Sequence, residues 1–300
     1  MSDPALFLHP FSGVFTGAAV PYSHFMSSVT VPGPVVTVDW LSDQIHNRDS
    51  DLVVLCASMG NPAKSSVGVP GALLADLDGD FSDHDSPLPH TVPADVRDVF
   101  ETRGISDGTA VVVYDRFGIM CAPRVWWLAK VAGLDNVAVL DGGLPAWTGA
   151  GYGVEPLASP TLRGTITATG RPELLVGVSG VSRALARSAW EVVDARSAGR
   201  FAGVEPEPRP GLRAGHIPGS VNIPFTRVLS DGRMRAPEEL VDLFRSVVGD
   251  ARRLTFSCGS GVTACVDALA AECAGYRDLT VYDGSWSEWG SPAACQPVGP

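Results

Sequence analysis

The sequence has no CxxC pair and no Cys/His spacing of the kind that binds zinc. It has no run of roughly 18 apolar residues, so no ordinary membrane-spanning helix is encoded and no membrane partner is expected. It also lacks a basic start: the first twenty residues, MSDPALFLHPFSGVFTGAAV, carry Asp3 and Pro4 where a secretory signal would carry Lys or Arg. Residues 1–34 therefore read as an N-terminal extension, and a cytoplasmic location with reduced thiols is expected. Positive charge is scarce. Lys plus Arg number 22 against 33 Asp plus Glu, a net charge of −11. A field of that sign repels phosphate backbones, so nucleic acid is not expected as a partner, and any pocket for an anion must be local.

What is present is a globular composition, 45% apolar and 18% charged, which excludes a chain disordered from end to end. Three hundred residues suit two domains of ordinary size, large enough to need no disulfide staples. The 33 Gly and 24 Pro predict many turns and show no collagen-like period.

The chain repeats itself. VVLCA (53–57) pairs with VVDAR (192–196), VPGA (69–72) with IPGS (217–220), and PADVRDVF (93–100) with PEELVDLF (237–244). AVVVYD (110–115) pairs with LTFSC (254–258), and VLDGGLPAW (139–147) with VYDGSWSEW (281–289). A period of domain size, kept in one order, is a duplication and not a solenoid. Each half alternates short β-branched runs with helical patterns, which predicts an α/β fold with a mainly parallel sheet flanked by helices. In the second half the strands are predicted at 190–195, 253–257 and 279–283, and the helices at 237–249 and 262–275. The domains are read as 35–152 and 176–300, joined by a Pro- and Gly-containing linker at 153–175.

In such sheets ligands lie beyond the carboxyl ends of the strands. There the second half reads S-C-G-S-G-V-T-A-C (257–265): Cys258 leaves a hydrophobic strand, and a loop with two glycines leads into a helix. Gly259 and Gly261 permit a turn that points several N–H groups inward, an anion nest at a helix N-terminus that would stabilise a thiolate. A pKa lowered by about two units, worth about 2.7 kcal/mol, makes thiolate the majority form at neutral pH. The other cysteines lack that setting: Cys265 and Cys273 lie on one predicted helix as core residues, and Cys56, Cys121 and Cys295 receive no role. In the first half Asp115 takes the place of Cys258, and a helix N-cap is its expected role. Cysteine phosphatases need an arginine six residues after the nucleophile; Ala264 stands there, which weighs against a phosphatase and in favour of sulfur transfer.

These segments resemble the two-domain rhodanese family, and within it the mercaptopyruvate sulfurtransferases. The resemblance runs from about residue 35 and is carried by CGSGVTAC (258–265), VVDARSAGRF (192–201), EPEPR (205–209), GHIPGSVNIPFT (215–226), APRVWW (122–127), LDGG (140–143) and YDGSWSEW (282–289). It implies tandem rhodanese-like domains, a non-catalytic first domain, and Cys258 as the nucleophile of the second. It further implies a Ser-His-Asp relay of Ser260, His90 and Asp78, with His84 as a competing histidine in poorer surroundings. Arg200 and Arg209 match the family's substrate arginines, and Gly259, Gly261, Val262 and Thr263 its substrate-facing loop. Against this stands plain pairing of the arginines with Glu205 and Glu207. Arg171, Arg183 and Arg187 have no such support. Val69 against His216, and Cys56 against Asp194, are departures between the halves that are expected to shape loops only.

Thiosulfate-preferring members carry basic residues after the cysteine, whereas Gly259 and Ser260 are neutral, so 3-mercaptopyruvate is the expected donor. Cyanide or a thiol such as thioredoxin is the expected acceptor, with no metal or organic cofactor. The alternatives are a thiosulfate sulfurtransferase and a non-enzymatic persulfide carrier.

Overall fold

In the computed structural model, residues 29–47, 51–60 and 66–299 are described. Most of the segment read as an N-terminal extension lies outside them. The stretch just before the first strand lies along the first half, where the Asn136 side chain accepts from Val31 N–H and donates to the Val29 carbonyl, at 2.9 and 2.7 Å.

The first half runs β1 (Val35–Val36), α1 (Val38–His46), β2 (Leu52–Ser58), β3 (Val67–Gly68), β4 (Leu73–Asp76), α2 (Val96–Glu101), β5 (Ala110–Tyr114), α3 (Ala122–Ala132), β6 (Val137–Leu140) and α4 (Gly143–Gly149). After β7 (Glu155–Pro156) come β8 (Leu175–Val176), α5 (Val178–Leu185), β9 (Trp190–Asp194), α6 (Ala198–Phe201) and β10 (Val221–Asn222). The chain closes with β11 (Leu229–Ser230), β12 (Arg233–Met234), α7 (Pro237–Val248), β13 (Arg253–Ser257), α8 (Ala264–Cys273), β14 (Asp278–Tyr282) and α9 (Ser285–Trp289).

Two five-stranded parallel sheets result, ordered β1-β6-β5-β2-β4 and β8-β14-β13-β9-β10. The second order is the first, strand for strand, under the internal repeat. The central strands explain why. AVVVY in β5 is buried at every position, as a parallel strand covered by helices on both faces requires. Helix α7 shows the amphipathic alternative: Leu240, Phe244 and Val248, four apart, are its buried stripe. Pro237 opens it, and the Glu239 carboxylate reaches back to the Ala236 N–H at 3.2 Å.

The predicted helix at 262–275 begins two residues later, because Val262 and Thr263 are spent on the loop that precedes it. The 153–175 segment crosses between the halves. Its Glu155 and Pro156 pair with Gly68 and Val67, and Leu175 already pairs in the second sheet.

One hydrophobic core runs through both halves, from Leu55 and Val113 to Phe256 and Val281. Helices α3 and α8 meet between the sheets, joined by the Lys130–Glu272 ion pair. Helix α3 is buried almost all round, Trp126 and Trp127 included. That packing sets the first half against the carboxyl edge of the second sheet. Among the described residues no helix is long and apolar enough to cross a membrane.

Candidate active site

Strand β13 delivers Cys258 at its carboxyl end, where the side chain is only 1% exposed. The backbone on either side of the thiol is gripped by the start of α9. Cys258 N–H donates to Ser285 Oγ at 3.1 Å, Trp286 N–H donates to the Cys258 carbonyl at 3.0 Å, and Ser287 gives the Gly259 carbonyl both its N–H and its hydroxyl, at 2.9 and 2.7 Å. Gly261 turns the loop with φ 74°, and a Cβ there would stand 2.8 Å from the Asp283 carbonyl, so the position accepts only glycine without strain.

The first half shows what such a loop binds. Asp115 Oδ2 accepts from the N–H groups of Met120, Cys121 and Ala122 at 2.8, 2.8 and 2.9 Å, and Oδ1 from Phe117 at 2.8 Å. Burial pushes the Asp115 carboxyl up while these four bonds pull it down. The N-cap expectation is therefore corrected. Cys121 occupies the cap position, and Asp115 reaches the helix start from seven residues upstream because the loop folds back over it. The first half has filled its own anion nest with a carboxylate. The second-half helix begins at Ala264, so the corresponding N–H groups are those of Val262, Thr263 and Ala264, at the end of the loop that Cys258 opens.

Three side chains line up beside this loop. His90 Nε2 lies 3.0 Å from Asp78 Oδ1, and His90 Nδ1 lies 3.2 Å from Ser260 Oγ. A carboxylate only accepts, so Nε2 carries the proton, Nδ1 is the acceptor, and the Ser260 hydroxyl donates to it. Arg209 Nη2 donates to the same Ser260 oxygen at 3.3 Å. Asp78 is 42% exposed, whereas His90 and Ser260 are buried. Burial lowers the His90 pKa; the hydrogen bond and charge of Asp78 oppose it. The competing His84 is exposed and shares the adjoining cleft with Asp78, His90 and Arg209, but the bonds to Asp78 and Ser260 belong to His90.

The two candidate arginines border Gly259. A Cβ on Gly259 would lie 3.1 Å from Arg200 Nη2 and 3.7 Å from Arg209 Nη1. Arg200 also pairs with Glu207, Nη2 to Oε2 at 2.5 Å, so the expected pairing with a loop glutamate is present for Glu207. Glu205 instead accepts from Ser197 Oγ at 2.6 Å. The second oxygen of Glu207 takes Arg196, which is locked to Asp194 at 2.6 Å. Among the described residues Arg209 forms no ion pair, and its Nη2 bonds Ser260 instead. Arg171 pairs with Asp135, and Arg187 lies over Trp190.

All six cysteines are free. Burial pushes the thiols of Cys265 and Cys273 up to about 12, and raises Cys56 and Cys121 as well, so these four stay protonated at neutral pH. His216 stacks on Phe201 with centroids 4.0 Å apart and bonds its carbonyl at 2.9 Å. Among the described residues no cluster of His, Cys, Asp and Glu could hold a metal ion. Residue-level reasoning missed Ser285, Ser287, Arg124 and Asp283. The signal for Ser285 was the repeat itself: Leu144 N–H bonds the Asp115 carbonyl at 2.9 Å as Trp286 bonds Cys258, which pairs Gly143 with Ser285, both at positive φ.

The rhodanese-like domain model matches twice, at residues 37–150 and 179–292. The chain is 36% identical over 271 residues to the 3-mercaptopyruvate sulfurtransferase of Escherichia coli, covering 86% of this chain and 95% of that protein. It is 40% identical over 280 residues to the 3-mercaptopyruvate sulfurtransferase of Homo sapiens, covering 88% and 94%. A thiosulfate sulfurtransferase of Rattus norvegicus is 38% identical over 271 residues, covering 85% and 91%. The crystal structure of SseA from Escherichia coli, described as a 3-mercaptopyruvate sulfotransferase, superposes with a TM-score of 0.73 at 33% identity, over 85% of this chain and all of that one.

Proposed function

The chain belongs to the rhodanese-like domain family, and from that premise we propose that it is a sulfurtransferase that takes sulfur from 3-mercaptopyruvate through a persulfide on Cys258. The observation that carries this reading is the line Asp78–His90–Ser260, which ends beside the Cys258 loop and gives the reaction a route for its proton.

The Cys258 thiolate attacks the sulfur of mercaptopyruvate. A new S–S bond forms, the C–S bond breaks, and its electron pair leaves with C3 as the enolate of pyruvate. The enolate takes up one proton at C3, and the donor's thiol proton is the one released. Ser260, hydrogen-bonded to His90 Nδ1, hands that proton across, and Asp78 holds the imidazole in the tautomer that accepts it. Arg209, and Arg200 within its pair with Glu207, bind the donor's carboxylate and steady the enolate oxygen. An acceptor thiol, such as that of thioredoxin, or cyanide then attacks the outer sulfur of the persulfide. A persulfide or thiocyanate departs and the Cys258 thiolate returns.

Thiosulfate is the second reading, favoured by the 38% identical thiosulfate sulfurtransferase. Sulfite leaves without a proton, so thiosulfate would make no use of the relay. Steady-state kinetics with both donors decides between them: a higher kcat/KM for mercaptopyruvate supports the first reading, and a higher value for thiosulfate replaces it. Slow or absent turnover with both free donors, alongside a persulfide received from a protein, identifies a carrier.

A further inference from the structure

Arg124 is fully buried, 0% exposed, on α3 of the half that carries no nucleophile. Its Nη2 donates to the His90 carbonyl at 2.7 Å and to Asp283 Oδ1 at 2.6 Å. The other oxygen of Asp283 accepts from the Val92 N–H at 3.0 Å. These contacts close a ring: Arg124 to the His90 carbonyl, along the chain through Thr91 to Val92, across to Asp283, and back to Arg124. Asp283 follows β14 and belongs to the second half, so the ring spans the domain interface. His90 itself stands at φ 58°, the left-handed region that a residue with a β-carbon occupies only when its surroundings hold it there. The opposite edge of the guanidinium faces the catalytic loop, with Nη1 3.4 Å from the point where a Cβ on Gly261 would stand.

We propose that Arg124, together with Asp283, is a positioning residue for His90: the ring holds the His90 peptide in its left-handed turn and thereby aims Nδ1 at Ser260. Rotating the His90 peptide out of the left-handed region turns its carbonyl away from Arg124 and carries the imidazole off the Asp78–Ser260 line. Both bonds leave one nitrogen, Nη2, whose two N–H groups are fixed in the guanidinium plane; a lysine has donors enough for both acceptors, but its ammonium rotates freely on a shorter stem and does not fix the peptide. The non-catalytic half thus contributes both the relay histidine and the device that fixes its orientation. This inference rests on the relay reading above and deepens it.

The test is a double-mutant cycle on the full-length protein with mercaptopyruvate as donor. Arg124→Lys lowers kcat about 10- to 100-fold, in the range of a lost acid–base contribution, with KM within about threefold of wild type. In a His90→Ala background the same change lowers kcat by less than about threefold, because the group it positions is gone. Should Arg124→Lys fail to fold, as judged by circular dichroism, Asp283→Asn enters the cycle in its place: it is nearly isosteric and keeps one acceptor oxygen of two, so the ring loses either its Val92 or its Arg124 bond. Additive losses in the cycle, or wild-type kcat in the single variant beside an impaired His90→Ala, overturn the positioning role and leave the relay standing. Wild-type kcat in His90→Ala overturns the relay itself.

Discussion

His90 Nδ1 stands 3.2 Å from Ser260 Oγ although 170 residues separate them and each belongs to a different half of the duplicated fold. The contact forms where the two halves dock, with α3 against α8 and Asp283 bonded to Arg124 and Val92, so the cleft lies between the duplicated halves. One half keeps a thiol at the end of its central strand. The other has a carboxylate in that place and supplies His90, which bonds Ser260 in the loop of the second half.

The buried imidazole sets a pH dependence. Burial lowers the His90 pKa, so its neutral, proton-accepting form persists below the ordinary value of about 6.5. The acid limb of kcat/KM for mercaptopyruvate therefore falls below that value. Asp78 works against burial by raising the pKa, so Asp78→Asn moves the limb lower still and reduces kcat by about 10-fold or more. A limb displaced upward in Asp78→Asn contradicts this assignment.

The two arginines differ in charge available to a ligand. Arg209 forms no ion pair among the described residues, while Arg200 shares Glu207. Arg209→Ala lowers kcat/KM for mercaptopyruvate by about 30- to 1000-fold, the loss of a charged hydrogen bond worth roughly 2–4 kcal/mol. Arg200→Ala costs less. Steady-state kinetics of the two variants check the order, and a larger loss in Arg200→Ala reverses it.

Ser260 separates the donors. Removing its hydroxyl in Ser260→Ala interrupts proton delivery to an enolate but leaves sulfite departure untouched. The ratio of kcat/KM for mercaptopyruvate over thiosulfate falls by at least about tenfold, or about 1.4 kcal/mol. An equal loss for both donors would assign Ser260 to binding and not to proton transfer.

Behind the thiol lies a liability. The Asp267 carboxyl on α8 is fully buried, and neither oxygen has a hydrogen-bond partner. Burial, then the charges of Cys258 and Asp194, push its pKa well up. The folded chain therefore holds a proton that the unfolded chain releases above about pH 4, and stability on this account falls as pH rises from there toward the native pKa. Asp267→Val removes the unpaired group, whose burial costs about 1–3 kcal/mol. Denaturant unfolding should show a gain for the variant that is larger at pH 8 than at pH 5.5. An equal gain at both, or a loss, contradicts the account.

The repeat made the fold legible, because strand runs such as 110–114 and 253–257 fall at matching places and the two sheets share one strand order. The loop at Cys258 was legible from its glycines. What stayed hidden depended on docking or on loop path. Nothing local links Arg124 to Asp283, 159 residues apart. Asp115 read as an N-cap because sequence spacing does not show a loop folding back far enough for a carboxylate seven residues upstream of the helix to meet the N–H groups of Met120, Cys121 and Ala122. Ser285 received no role from the sequence, because its grip on the Cys258 N–H depends on where a left-handed backbone at φ 48° places its hydroxyl.

The central claim is that sulfur rides on Cys258. Intact-protein and peptide mass spectrometry after a single exposure to mercaptopyruvate, with no acceptor present, measures it directly. The account predicts about 32 Da added to the Cys258 peptide and to no other cysteine, consistent with four thiols held protonated by burial, together with release of pyruvate and loss of both signals in Cys258→Ser. Pyruvate released at the wild-type rate by Cys258→Ser, or the added mass on Cys265 or Cys295 in the wild-type protein, would contradict it.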